Sequence, residues 1–187
     1  MEASSGPSRV LVTGGVRSGK STHAERLLAG AAEVVYVAPG PVPSADDADW
    51  AARVAAHRDR RPAGWTTVET ADLAAALLDA GGAAVLVDCV GTWLTAIIDG
   101  AGLWEAPADE VHRHVLAALE PVVAVVAAAP GPVVLVTNEV GLGVVPAHRS
   151  GRLFRDLLGT VNQRLGAACD EVHLVVAGRV VVLPDPL

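Results

Sequence analysis

The sequence predicts an α/β protein of three layers, with a mostly parallel sheet covered by helices and an antiparallel hairpin at its C-terminal edge. Short Val- and Leu-rich runs that are apolar at nearly every position alternate with helical periodicity, which is the pattern of parallel strands buried on both faces. The last two apolar runs are separated only by Gly178-Arg179, too short for a crossover but suited to a hairpin. No repeat, low-complexity tail or dividing linker interrupts the 187 residues, so one domain spanning 1–187 is expected.

In chain order, the first strand is predicted at Val10–Thr13 and the first helix at Ser21–Leu28, where Ala24, Leu27 and Leu28 share a face. A strand at Glu33–Ala38 precedes a helical pattern over roughly Asp47–Arg58. Ala71–Ala80 reads as a helix, Ala84–Cys89 as a strand, and Thr92–Ile98 and Asp109–Ala128 as helices. Val133–Thr137 is the next strand. The helix predicted at His148–Ala168 places Leu153, Leu157, Val161 and Leu165 on one face. Val172–Ala177 and Val180–Leu183 form the hairpin.

Half of the residues are hydrophobic (51%), which raises the question of a membrane segment. The apolar stretch 121–136 is broken by Pro130, Gly131 and Pro132, and no run reaches the about 18 residues of a spanning helix. The opening "MEASSGPSR" lacks a signal-peptide pattern. Cys89 and Cys169 sit in apolar surroundings without metal-ligand spacing and read as buried thiols in a reducing compartment. A net charge of −7 argues against a nucleic-acid surface. A cytoplasmic protein without a membrane span is expected.

The most informative stretch is "LVTGGVRSGKSTHAERLL". Gly14, Gly15, Val16, Arg17, Ser18, Gly19, Lys20 and Ser21 match G-x-x-x-x-G-K-[ST]. Glycines let such a loop curl its amide N–H groups around phosphate oxygens. Lys20 would reach the β- and γ-phosphates, Ser21 would ligate Mg²⁺, and the following helix would aim its positive end at the phosphates. A strand precedes the loop and a helix follows, as a nucleotide-binding P-loop requires.

A metal-bound nucleotide calls for a carboxylate at a neighbouring strand end. In "AAVLVDCV", Asp88 is placed to be that group, the alternative being a helix-capping aspartate. Asn138 and Glu139 in "TNEVG" fall at another strand end, where open parallel sheets bind ligands; they are candidates for substrate or metal-supporting contacts, or else ordinary turn residues. Asp88-Cys89-Val90-Gly91 also fits the D-x-x-G of GTP-hydrolysing switch proteins. The guanine-reading Asn-Lys-x-Asp that should follow is replaced by Asn138-Glu139-Val140-Gly141, so that reading is weak.

Residues 46–69, "DDADWAARVAAHRDRRPAGWTTVE", concentrate basic groups. Arg53 and His57 share a helical face, and Arg58, Arg60 and Arg61 follow. The segment is either a solvated basic face or a histidine nucleophile flanked by guanidinium groups that grip a polyphosphate. Arg149, Arg152 and Arg155 recur at helical spacing and face a phosphate, a subunit neighbour or simply solvent. His23, His112, His114, His148 and His173 lack zinc-ligand spacing.

Taken together, "LVTGGVRSGKSTHAE", the H-R-x-x-R-P-x-x-W segment, "VLVDC…WLT", "VVLVTNEVGLGVVP" and "RLFRDLLGTVNQRLGAACDEVHLVVAG" resemble the bifunctional adenosylcobinamide kinase/adenosylcobinamide-phosphate guanylyltransferase family. The blocks run in family order over nearly the whole chain. The resemblance implies a RecA-like P-loop fold, commonly trimeric, in an enzyme of adenosylcobalamin synthesis. It implies phosphorylation of the aminopropanol hydroxyl of adenosylcobinamide by ATP or GTP. Transfer of GMP from GTP onto that phosphate would follow, through a GMP-histidine on the residue matching His57. It further implies nucleotide contacts from Pro39, Gly40, Pro41, Arg58, Asp59, Arg60, Arg61 and Glu69. A kinase without a covalent intermediate and a GTP-binding regulatory module are the alternatives.

Overall fold

A strand buried on both faces has no polar position to spare, and the central strands of this protein have almost none. The computed structural model describes residues 8–40, 52, 62 and 64–184. Its strands are β1 (Arg9–Gly14), β2 (Val34–Ala38), β3 (Thr66–Glu69), β4 (Ala84–Asp88), β5 (Val133–Val136), β6 (Glu171–Val176) and β7 (Arg179–Val182). The helices are α1 (Lys20–Leu27), α2 (Leu73–Asp79), α3 (Val90–Ala101), α4 (Ala108–Ala128) and α5 (Arg149–Ala168). One sheet runs in the order β3-β2-β4-β5-β1-β6-β7. All neighbours pair in parallel except β6 and β7, which are antiparallel.

Because successive side chains leave a strand on opposite faces, the sheet feeds two cores. Leu11, Val37, Val85, Val87, Val133 and Leu135 join the buried residues of α2, α3, α4 and α5. Val10, Val12, Val34, Tyr36, Leu86, Val134 and Val136 pack with Ala24 and Leu28, on and just after α1. The helices are built for this: Val111, Val115, Leu119, Val122 and Val126 form one buried stripe on α4. Leu153, Leu157, Val161 and Leu165 form another on α5, where the periodicity placed them.

The start of β1 is tied to the start of β6. Asp170 accepts hydrogen bonds from Ser8 Oγ (2.9 Å), Arg9 N (2.9 Å), and Arg9 Nε and Nη2 (3.2 and 2.6 Å). The Arg9 guanidinium is the main reason that the Asp170 carboxyl is held down at about 2, against an ordinary 3.8. A carboxyl whose folded value is depressed stabilises the fold above its unfolded value and loses that contribution as the pH falls through the folded one. Asp170→Asn is therefore expected to melt below wild type at pH 7, with the gap closing as the pH drops from about 4 towards 2. A gap that stays constant over that range in thermal melts would count against the clamp.

Three differences from the sequence reading have physical causes. Strand β3 was not expected, because four residues on the sheet edge with only Val68 half-buried carry no apolar alternation. The hairpin turn is Ala177-Gly178, not Gly178-Arg179; φ of 51° and 74° there gives the two left-handed positions that a two-residue hairpin favours. Helix α4 is also long and apolar enough to cross a membrane by length and composition, the one such helix among the described residues. It tolerates Glu120 and Pro121 within an otherwise Val- and Ala-rich run, and its buried stripe faces the core. The helix expected over Asp47–Arg58 lies outside the described residues.

Candidate phosphate and substrate site

The loop between β1 and α1 is shaped by two glycines. At Gly14, with φ of 156°, a Cβ would lie 2.4 Å from Val175 O and 2.8 Å from Ser18 Oγ, so any side chain would force the loop off β6. Gly19 caps α1 with φ of 99°, and its carbonyl accepts the first helical bond, from His23 N, at 3.0 Å. The hairpin turn backs the loop: Gly178 N donates to Ser18 O at 2.8 Å. Gly15, Val16, Arg17 and Gly19 are exposed around the mouth, whereas Ser18 is buried. Ser18 Oγ has no hydrogen-bond partner among the described residues, so a hydroxyl donor lies ready within the loop. Lys20 Nζ folds back onto Gly15 O at 3.1 Å. The first N–H groups of α1 have no partner within the helix and point out of its N-terminus.

Parallel pairing brings the other candidates to the same edge. Asp88 ends β4 and is in register with Val136, which is in register with Val12, two residues before the loop. The carboxylate is half-buried and accepts a hydrogen bond from Tyr36 Oη at 3.2 Å. Pro39 and Gly40 follow β2, and Glu69 ends β3 in register with Ala38. Glu139 N donates to Gly14 O at 3.1 Å, rooting the loop after β5 directly beside the phosphate loop. Pro41, His57, Arg58, Asp59, Arg60 and Arg61 lie outside the described residues.

Residues 10–183 match the family described as cobinamide kinase / cobinamide phosphate guanyltransferase. The chain belongs to this family.

Named relatives agree. The chain is 43% identical over 182 residues to the bifunctional adenosylcobalamin biosynthesis protein CobU of Salmonella typhimurium, covering 90% of this chain and 96% of that protein. Against CobU of Escherichia coli it is 42% identical over 177 residues, with the same shares covered. Against CobP of Pseudomonas aeruginosa it is 38% identical over 185 residues, covering 96% of each. Among solved structures, an ATPase of a type III secretion system aligns with a TM-score of 0.55 at 13% identity. That match covers 89% of this chain and half of the ATPase chain, and it supports the P-loop fold alone.

Within this cobinamide kinase / guanyltransferase fold, the two residues of "TNEVG" have distinct surroundings. Asn138 turns inward: its carbonyl accepts from Asn162 Nδ2 at 3.0 Å, and its Oδ1 accepts from Cys89 Sγ at 3.7 Å. Thr137 Oγ1 donates to Asn162 Oδ1 at 2.7 Å. Asn162 was missed in the sequence; its only signal is a polar residue beside Val161 on the apolar side of α5. Glu139 Oε1 accepts from Gly141 N at 2.5 Å. Burial, and secondarily Asp88, push the Cys89 thiol up, and burial pushes that of Cys169 to about 12. Both cysteines are free, and a raised thiol makes neither a nucleophile at neutral pH.

His23, His173 and Glu171 form a chain of close polar contacts. His23 Nε2 and His173 Nδ1 are 2.8 Å apart, and His173 Nε2 lies 2.7 Å from Glu171 Oε2. Desolvation, and then His173 and Arg26, lower the His23 pKa. No cluster of three or more His, Cys, Asp or Glu suited to a metal occurs among the described residues.

Proposed function

We propose the following course for the two reactions of this kinase and guanylyltransferase. In the first, the aminopropanol hydroxyl of adenosylcobinamide attacks the γ-phosphorus of ATP or GTP. The bond between the β–γ bridging oxygen and the γ-phosphorus breaks, the nucleoside diphosphate leaves, and the hydroxyl proton passes to solvent. In the second, an imidazole nitrogen of His57 attacks the α-phosphorus of GTP and pyrophosphate leaves. A phosphate oxygen of adenosylcobinamide phosphate then displaces the imidazole from GMP, giving adenosylcobinamide-GDP and free His57.

The observation that carries this reading is the Gly14–Ser21 loop pressed onto Val175, with its lysine curled to Gly15 O. Lys20 would exchange that carbonyl for β/γ oxygens, and loop amides would neutralise charge developing on the transferred group. Ser21 and Asp88 offer hydroxyl and carboxylate oxygens, the hard donors that Mg²⁺ takes while its other positions go to water and phosphate. Held by these residues, Mg²⁺ would supply positive charge that offsets the charge of the nucleotide phosphates. Pro39, Gly40, Pro41, Arg58, Asp59, Arg60, Arg61 and Glu69 are assigned to nucleotide contact by the family resemblance. The same resemblance supports a cytoplasmic homotrimer, for which the exposed Val180, Val181 and Val182 on edge strand β7 offer a contact surface.

The test is to incubate the enzyme with GTP labelled at the α-phosphate. Protein-bound label that is acid-labile and base-stable is expected, and GTP labelled at the γ-phosphate should leave none. Corrinoid phosphorylation without protein label would favour the kinase-only reading, and nucleotide binding without either reaction a regulatory module.

A further inference from the structure

We propose that the loop joining β5 to α5 is the corrinoid-recognition element of the site, and that Arg155, with Arg152, is the positioning residue that holds it in shape. This rests on the corrinoid substrate of the reading above. Arg155 Nη2 donates to Gly141 O at 2.6 Å and Nη1 to Gly143 O at 3.0 Å. One turn earlier, Arg152 Nη1 donates to Ala147 O at 2.6 Å and Pro146 O at 3.1 Å. Glu139 holds Gly141 N from the other side. The backbone is thus held at four carbonyls and one amide by rigid guanidinium forks and a carboxylate. These arginines answer to carbonyl oxygens, which explains their helical spacing without a phosphate. Arg149, the third of the series, bonds instead to Trp104 O and Ala106 O, fastening the α3–α4 connection to the same helix.

Between those fixed points the loop holds large apolar side chains in water. Leu142 is 86% exposed, Val144 95% and Val145 61%. Ordered apolar side chains grouped on a surface mark a recognition site. The occupant follows from continuity with the phosphate site. The root of the loop is bonded to the phosphate loop itself, Glu139 N to Gly14 O. A corrin ring is a broad macrocycle with apolar, methylated faces, and its reactive hydroxyl sits on a side chain at the rim. With that hydroxyl at the γ-phosphate, the ring would rest on protein next to the phosphate loop, and exposed Leu142 follows only three residues after the Glu139 that is bonded to Gly14.

The experiment compares Leu142→Ser/Val144→Ser, Arg155→Ala and Arg155→Lys with a control, Leu78→Ser, which alters an equally plain exposed leucine on α2. The KM for adenosylcobinamide in the kinase reaction, the KM for nucleotide, and the solution mass by light scattering are measured for each. The double variant is expected to raise the corrinoid KM by about tenfold or more, with the nucleotide KM moving less than twofold. Arg155→Ala should do the same, and Arg155→Lys should not rescue it, since a lysine cannot bridge two carbonyls as a planar fork. Leu78→Ser should leave both constants unchanged. An unchanged corrinoid KM in the double variant overturns the proposal. So does a change that appears only together with a fall in solution mass, which would make the loop a contact between copies. Wild-type enzyme that phosphorylates no corrinoid would overturn the reading beneath it instead.

Discussion

Lys20→Ala is expected to lower both the phosphorylation of adenosylcobinamide and the transfer of GMP by ~10²–10³, the usual cost of removing one group aimed at transition-state charge. In the proposed course both reactions build negative charge on phosphate oxygens of a nucleotide held in the same loop, so one lysine would serve both. Its hydrogen bond to Gly15 O shows that the side chain reaches across the loop. The fold should not suffer: Lys20 is half-exposed and its partner is the carbonyl of an exposed glycine. Initial-rate measurements of each half-reaction, with a thermal melt as control, decide it. Normal rates in either reaction would remove Lys20 from the phosphate site.

His57→Ala is expected to abolish guanylyl transfer and all protein-bound label from α-labelled GTP, while phosphorylation of the corrinoid continues at a useful rate. In the proposed course the histidine is consumed and regenerated only in the second reaction. In the first, the substrate hydroxyl attacks directly. A mutation that removes a covalent carrier should therefore separate the two activities, whereas Lys20→Ala should not. The two described histidines on α1 and β6 are poorly suited to replace it: His173 is buried and His23 is bonded to it at 2.8 Å. Label that persists in His57→Ala, or that maps to His23, would show that another residue carries GMP.

Much of the fold was legible because parallel strands and amphipathic helices write their burial into short windows of sequence. Leu153, Leu157, Val161 and Leu165 were assigned to one face from spacing, and all are buried. Edge strand β3 was not legible, since it buries little and so selects no pattern. In the candidate site, the position of the Gly14–Ser21 loop between a strand and a helix could be read because the motif is contiguous and shapes the backbone locally. Asn138 and Glu139 were placed at the right strand end, but their spacing could not show that Asn138 turns towards Cys89 and Asn162 while Glu139 grips its own loop. Arg149, Arg152 and Arg155 were an ambiguous stripe for the same reason: nothing in a helical repeat says what the guanidinium groups will meet.

By itself the sequence determined the α/β class, the glycine-rich loop between β1 and α1 that leads into Lys20 and Ser21, and the strand-end position of Asp88. These depend on interactions among residues a few positions apart, where residue type and spacing are enough. Tertiary structure alone decided what surrounds that loop. The carbonyl of Val175 leaves room only for glycine at 14, and Gly178 supports Ser18 from the hairpin. Arg155 holds the carbonyls of Gly141 and Gly143 so that Leu142 stands in water between them. Each of these joins segments brought together only by strand pairing or by a helix folding back over its preceding loop, and no local pattern in the chain encodes where such partners will meet.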